Sequence, residues 1–171
     1  SIIHHAARII PPFPSPERRR TMQHTVGEIM RTQLWTVDTE ASLIEAQALM
    51  EEHGVRRLPV LDEDGELVGI LSWGDVREAT SVEAAQMPSP YAPDAADDWL
   101  TVWEAMSRDL VVVTPESSLA DAVELMLTHK IGGLPVVRSL RGAGRRQLVG
   151  IVTDTDIFRL VLRLWRAEEQ V

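Results

Sequence analysis

The sequence predicts a mixed α/β (α+β) fold in which two tandem β-α-β-β-α repeats pack as one pseudo-symmetric module. Three observations carry that expectation. Residues 25–60 overlay residues 101–136 at a constant shift of 76 without a gap, and 16 of the 36 positions are identical, where unrelated sequence would give about two. Apolar residues recur at the same places in both copies, with helical spacing in one stretch and short β-prone runs in the others. A single unit of about 55 residues buries too little surface to be robust, whereas 171 residues with 44% hydrophobic content are enough for a shared core.

The elements follow in order. Residues 34–37 and 110–113 are β-prone runs that end in polar turns, Asp38 and Thr39 in one copy and Thr114 and Pro115 in the other. Ser42 with Glu45 three residues on forms a capping box, and Leu43, Ala46, Leu49 and Met50 follow at helical spacing. Ser118 and Asp121 give a weaker version before Leu119, Ala122, Leu125 and Met126. Strands are expected at residues 58–61 and 134–137, then at 67–71 and 148–152, and closing helices at about 76–85 and 157–168. Past residue 60 the register slips to 81, because the second copy has gained five residues in a Gly- and Arg-rich loop, residues 138–147. That loop reads as a solvated surface connection.

The chain therefore divides into an extended arm (1–24), a first repeat (25–80), a Pro- and Asp-rich connector (81–100) and a second repeat with its C-terminal helix (101–171). Met22, just ahead of the first repeat, is a candidate natural start, with the residues before it from another source.

Composition narrows the function. A formal net charge of -9 argues against a surface that coats DNA or RNA but leaves room for a small phosphorylated ligand in a local pocket. The absence of cysteine excludes disulfides, thiolate metal sites and cysteine nucleophiles. Apolar stretches fall short of the roughly 18 residues a membrane span needs, so a cytoplasmic protein without membrane or nucleic-acid partners is expected. No catalytic set is visible, and the chain reads as no enzyme. His4, His5 and His24 lie in or beside the arm; His53 and His129 are matched at helix C-termini, where a capping role is expected rather than a catalytic one. The adjacent pair His4 and His5 lacks a carboxylate at set spacing, so no metal is expected.

Two matched motifs stand apart, G-I-L-S-W-G-D at residues 69–75 and G-I-V-T-D-T-D at residues 150–156. In each, an apolar strand ends in a hydroxyl residue, Ser72 or Thr153, and a carboxylate, Asp75 or Asp156, follows three positions later as a helix begins. One reading is an N-cap that satisfies the free amides of the first turn. The other is a helix N-terminus that takes a phosphate, with the Asp accepting hydrogen bonds from ribose hydroxyls.

These endings, together with V-G-E-I-M and V-W-E-A-M and with H-G-V-R-R-L-P-V and H-K-I-G-G-L-P-V, resemble CBS domains, the cystathionine β-synthase-type repeat, and the tandem is similar to a CBS pair or Bateman module over about residues 25–162. The resemblance implies a regulatory, energy-sensing module that needs no cofactor. It binds AMP, ADP, ATP or S-adenosylmethionine in clefts between the repeats and signals to an unknown effector protein. Carried over residue by residue, it implies that Ser72 and Thr153 face phosphate, that Asp75 and Asp156 hold ribose, and that adenine lies against residues 29–32, with Met30 and Thr32, or residues 105–108, with Met106 and Arg108. Val55, Arg56 and Arg57 would then complete the Thr153/Asp156 cleft, and Ile131, Gly132 and Gly133 the Ser72/Asp75 cleft. Because guanidinium groups suit phosphate, the first of these is expected to bind nucleotide more tightly. Trp73 either stacks on a base or blocks the second. The last helix carries seven apolar residues, from Ile157 to Trp165, too many for one face, which marks a protein interface, and the resemblance implies a homodimer through the helices of the module. The alternative is a ligand-free dimerisation or interaction module.

Overall fold

A computed structural model of the chain describes residues 24–86, 100–139 and 146–169. The arm before residue 24, the His4 and His5 pair, most of the connector and the tip of the Arg-rich loop lie outside the described residues.

The first repeat opens with a 3-10 turn, Val26–Glu28, whose capping box joins Thr25 and Glu28. A hydrogen bond from His24 and one from the Thr25 backbone N–H hold the Glu28 carboxyl below its usual range. Strand β1 (Val37–Asp38) leads into helix α1 (Leu43–His53), then strands β2 (Arg57–Leu61) and β3 (Leu67–Ser72) and helix α2 (Trp73–Gln86). The second repeat contributes the short helix α3 (Val102–Ala105), helix α4 (Leu119–His129), strands β4 (Gly133–Ser139) and β5 (Arg146–Thr153), and helix α5 (Asp154–Glu168).

Helix α1 begins where the sequence places it. Ser42 Oγ accepts from the Glu45 N–H at 3.2 Å, and the Glu45 carboxylate accepts back from the Ser42 N–H at 2.9 Å. Ser118 accepts from the Asp121 N–H at 3.0 Å to start α4. In the first half the sheet order is β1-β2-β3, with β1 parallel to β2 and β2 antiparallel to β3. In the second half β4 and β5 form an antiparallel pair, and the place of β1 is taken by a lone parallel bridge between Val113 and Val136. The first strand of each repeat is thus shorter than its apolar run suggests. The five-residue insertion lengthens β4 and β5 into a hairpin with Arg138 opposite Gln147 and Ser139 opposite Arg146, so the expected loop is partly strand.

The halves do not coincide with the repeats. Val26 is fully buried in the core of the second half, among Val113, Ala122, Leu134 and Val152, while Val102 is fully buried in the core of the first, among Leu43, Met50, Leu58 and Leu71. Matched backbone hydrogen bonds hold these exchanged segments: Val26 N–H to Ser117 O and Leu119 N–H to His24 O on one side, Val102 N–H to Ala41 O and Leu43 N–H to Leu100 O on the other. The exchange continues into the sheets, where Arg31 pairs with Ile151 of β5 and Ser107 with Ile70 of β3. The segments after each exchanged turn therefore run along the strand ends of the opposite half and build a cleft there.

Candidate functional site: the clefts between the halves

Strand β5 ends at Thr153 because the hydroxyl caps the next helix. Thr153 Oγ1 accepts from the Asp156 N–H at 3.4 Å, and Asp156 Oδ2 accepts from the Thr153 N–H at 3.0 Å and from its hydroxyl at 2.7 Å. Ser72 and Asp75 repeat this box at the start of α2, with carboxylate distances of 2.7 and 2.6 Å. The Asp154 N–H goes to Gly132 O and the Thr155 N–H to Asp154 Oδ1. The amides of residues 154–156 are thus satisfied within the protein, and positive charge for an anion must come from side chains.

Those side chains are present. A cleft of about 770 Å³ opens beside Thr153, with Arg31, Arg56, Arg57 and Arg159 around it. Its apolar wall includes Met30, Val55, Pro59 and Ile151, and Trp35 lies on the same wall, stacked on His53 at 3.4 Å between ring centroids and 2° between planes. Of the residues singled out in the sequence, Met30, Thr32, Val55, Arg56, Arg57 and Thr153 all line this cleft. Asp156 lies just beside it, in an adjoining groove with Arg31, Arg159, Arg163 and Arg166.

Asp156 is buried, its side chain 7% exposed, and the oxygen left over from the cap meets Arg31 Nε at 3.0 Å and Arg159 at 3.7 Å. Arg57 lies across the start of β4: a Cβ on Gly133 would come within 2.9 Å of Arg57 Cδ, and one on Gly132 would overlap the Arg57 guanidinium. Two adjacent glycines there allow a side chain of the first half to cross beside Thr153 and Asp154 of the second.

The counterpart cleft, of about 660 Å³, is lined by Arg108 and Ile131 together with Ser107, Asp109, Leu110, Val111 and His129. Ser72, Asp75, Gly132 and Gly133 are not part of that wall. Met106 is buried in the first core, and Trp73 packs against that core. Arg108 is turned onto Trp103, 4.0 Å above the ring, with a hydrogen bond to the Trp103 carbonyl at 2.8 Å. Among the described residues no group of three or more His, Asp or Glu gathers as a metal site, and no helix is long and apolar enough to cross a membrane.

The sequence reading held Arg31 only as part of the adenine-facing segment 29–32, with no role of its own, and missed Trp35. A signal was available, because the repeat overlay sets Arg31 against Ser107 and Trp35 against Val111. Positions where the copies differ mark where the clefts differ.

The model of the CBS domain matches residues 26–81 and again residues 102–163. The chain belongs to the CBS domain family. It is 35% identical over 133 residues to the CBS domain-containing protein YhcV of Bacillus subtilis, covering 78% of this chain and 82% of that protein. Among solved structures it resembles the CBS domain pair of protein MJ0100 in complex with 5′-methylthioadenosine and S-adenosyl-L-methionine, at 29% identity and a TM-score of 0.66 over 81% of this chain and 96% of that one. It also resembles CBSX2 in complex with AMP, at 28% identity and a TM-score of 0.59 over 82% and 98%. The two repeats of this CBS pair are those found by the internal overlay, and its mixed α and β architecture is that of these neighbours.

Proposed function

We propose that this CBS pair is a regulatory module that binds an adenosine-containing nucleotide in the larger cleft and signals to a partner protein through the relative arrangement of its halves. One observation carries the reading: in a chain of net charge -9, four arginines converge on a cleft whose wall also offers an aromatic face. Arginine is suited to phosphate by its bidentate fork, and Trp35 with the apolar wall suits a base. The adenosine ligands of the two neighbouring CBS pairs support the same class of ligand. On this reading the module works without a cofactor and without catalysis, as a cytoplasmic energy sensor, and pairs into a homodimer through α5.

The test is a thermal-shift titration with AMP, ADP, ATP and S-adenosylmethionine. A true ligand stabilises by RT ln(1 + [L]/Kd), about 2.7 kcal/mol at a hundred times Kd. Arg57→Ala is expected to weaken nucleotide binding by about tenfold through loss of a charge-assisted contact. A second reading, the ligand-free interaction module, is favoured by the engagement of both Asp156 oxygens within the protein. Absence of any shift across the panel would select it.

A further inference from the structure

The pairing of Arg31 with Asp156 links segments 125 positions apart and, among the described residues, has no counterpart in the other half. At the equivalent of Arg31 stands Ser107, and the only hydrogen bonds to the Asp75 carboxylate among the described residues are those of its cap, both on Oδ2. The backbone is the same in both places: Arg31 bridges Ile151 and Ser107 bridges Ile70, each with two hydrogen bonds of 2.9 and 3.0 Å. The difference therefore lies in the side chain alone.

Arg31 lines both the larger cleft and the groove that holds Asp156. Its side chain is 39% exposed, against 7% for Asp156, so the guanidinium can leave more readily than the carboxylate can lose its partner. A hydroxyl that displaces Arg31 from Asp156 Oδ1 sets a cation free with no anion. An anion that draws Arg31 into the cleft leaves the buried Oδ1 of Asp156, among the described residues, with only the longer Arg159 contact at 3.7 Å. A ligand that carries hydroxyl donors beside an anionic group satisfies both at once, the hydroxyls taking Oδ1 while the anion takes the guanidinium.

We infer that Arg31 is a specificity-determining residue that makes the larger cleft select ribose phosphates over unphosphorylated nucleosides. The inference rests on the reading of that cleft as an adenosine-ligand site and names the charge class of its ligand. Neutral nucleosides are rejected here because they release Arg31 without replacing its anion.

The test follows the indole N–H resonance of Trp35, which lies on the wall of the larger cleft and so reports it separately from the smaller one, in the full chain titrated with AMP and with adenosine. In the wild type AMP is expected to bind at least about tenfold more tightly than adenosine. Arg31→Ser copies the residue that the other half carries at the same backbone position and is expected to close the gap to within about twofold. Arg31→Lys keeps a cation and is expected to retain the AMP preference, which separates charge pairing from a packing role. An AMP-to-adenosine ratio as large in Arg31→Ser as in the wild type overturns the inference and leaves the nucleotide-sensor reading standing. If neither ligand moves the Trp35 resonance in the wild type or the Ser variant, both fall.

Discussion

Helices α1 and α4 both end in the left-handed region, at Gly54 with φ 61° and at Lys130 with φ 54°. In each case the cap N–H returns to the last turn, to the carbonyls of residues 51 and 50 or of residues 127 and 126. Glycine adopts this conformation without a Cβ penalty; lysine does not. Lys130→Gly is therefore expected to stabilise the protein by about 1 kcal/mol in a urea titration, and a loss of stability would show that the Lys130 side chain holds the turn. The repeat overlay exposes this mismatch directly, and it exposes Arg56 and Arg57 against Gly132 and Gly133 as well. What the overlay does not show is that Arg57 crosses to lie on those glycines, because contact between halves depends on the exchange of segments. The Ser72 and Thr153 motifs were legible as caps from spacing alone, whereas the ion pair that holds Asp156 joins residues too distant for local pattern to reveal.

At the scale of elements, local periodicity served best where one face of an element is buried. Helices α1 and α4 start at the expected caps, and β2, β3, β4 and β5 fall on the expected apolar runs. The first strand of each repeat did not follow, since Leu34 and Trp35 go to the cleft wall rather than to the sheet, and apolar content cannot distinguish those uses. Helix α5 shows how an excess of apolar residues divides. Ile157 and Leu160 pack against the second core, while Phe158, Leu162 and Trp165, at spacings of four and three, remain 70%, 45% and 62% exposed. An outer stripe of that kind suits a protein interface. If α5 pairs two copies, Trp165→Glu is expected to shift sedimentation from dimer to monomer while leaving protomer stability within about 0.5 kcal/mol, as for other exposed positions. An unchanged sedimenting mass would remove this face from the interface.

For the molecule as a whole, the exchange of opening segments decides how the halves are held together. Val26 belongs by sequence to the first repeat and by packing to the second core, and Val102 does the reverse. Neither half can complete its core alone, so both are expected to unfold in one transition. The same exchange carries Arg31 to β5 and Ser107 to β3, so a force on the cleft at Arg31 acts on both halves through a segment only a few residues long. Val26→Ala removes two buried carbons from the second core and is expected to cost about 2 kcal/mol. If the halves are coupled as the exchange requires, that loss appears in both. Hydrogen exchange should then quicken by the same factor for the most protected amides of β2 and β3 as for those of β4 and β5, although Val26 touches only the second core. Faster exchange confined to β4 and β5 would show that the halves open independently. A ligand held at one cleft would then have no route through the shared core to the other half.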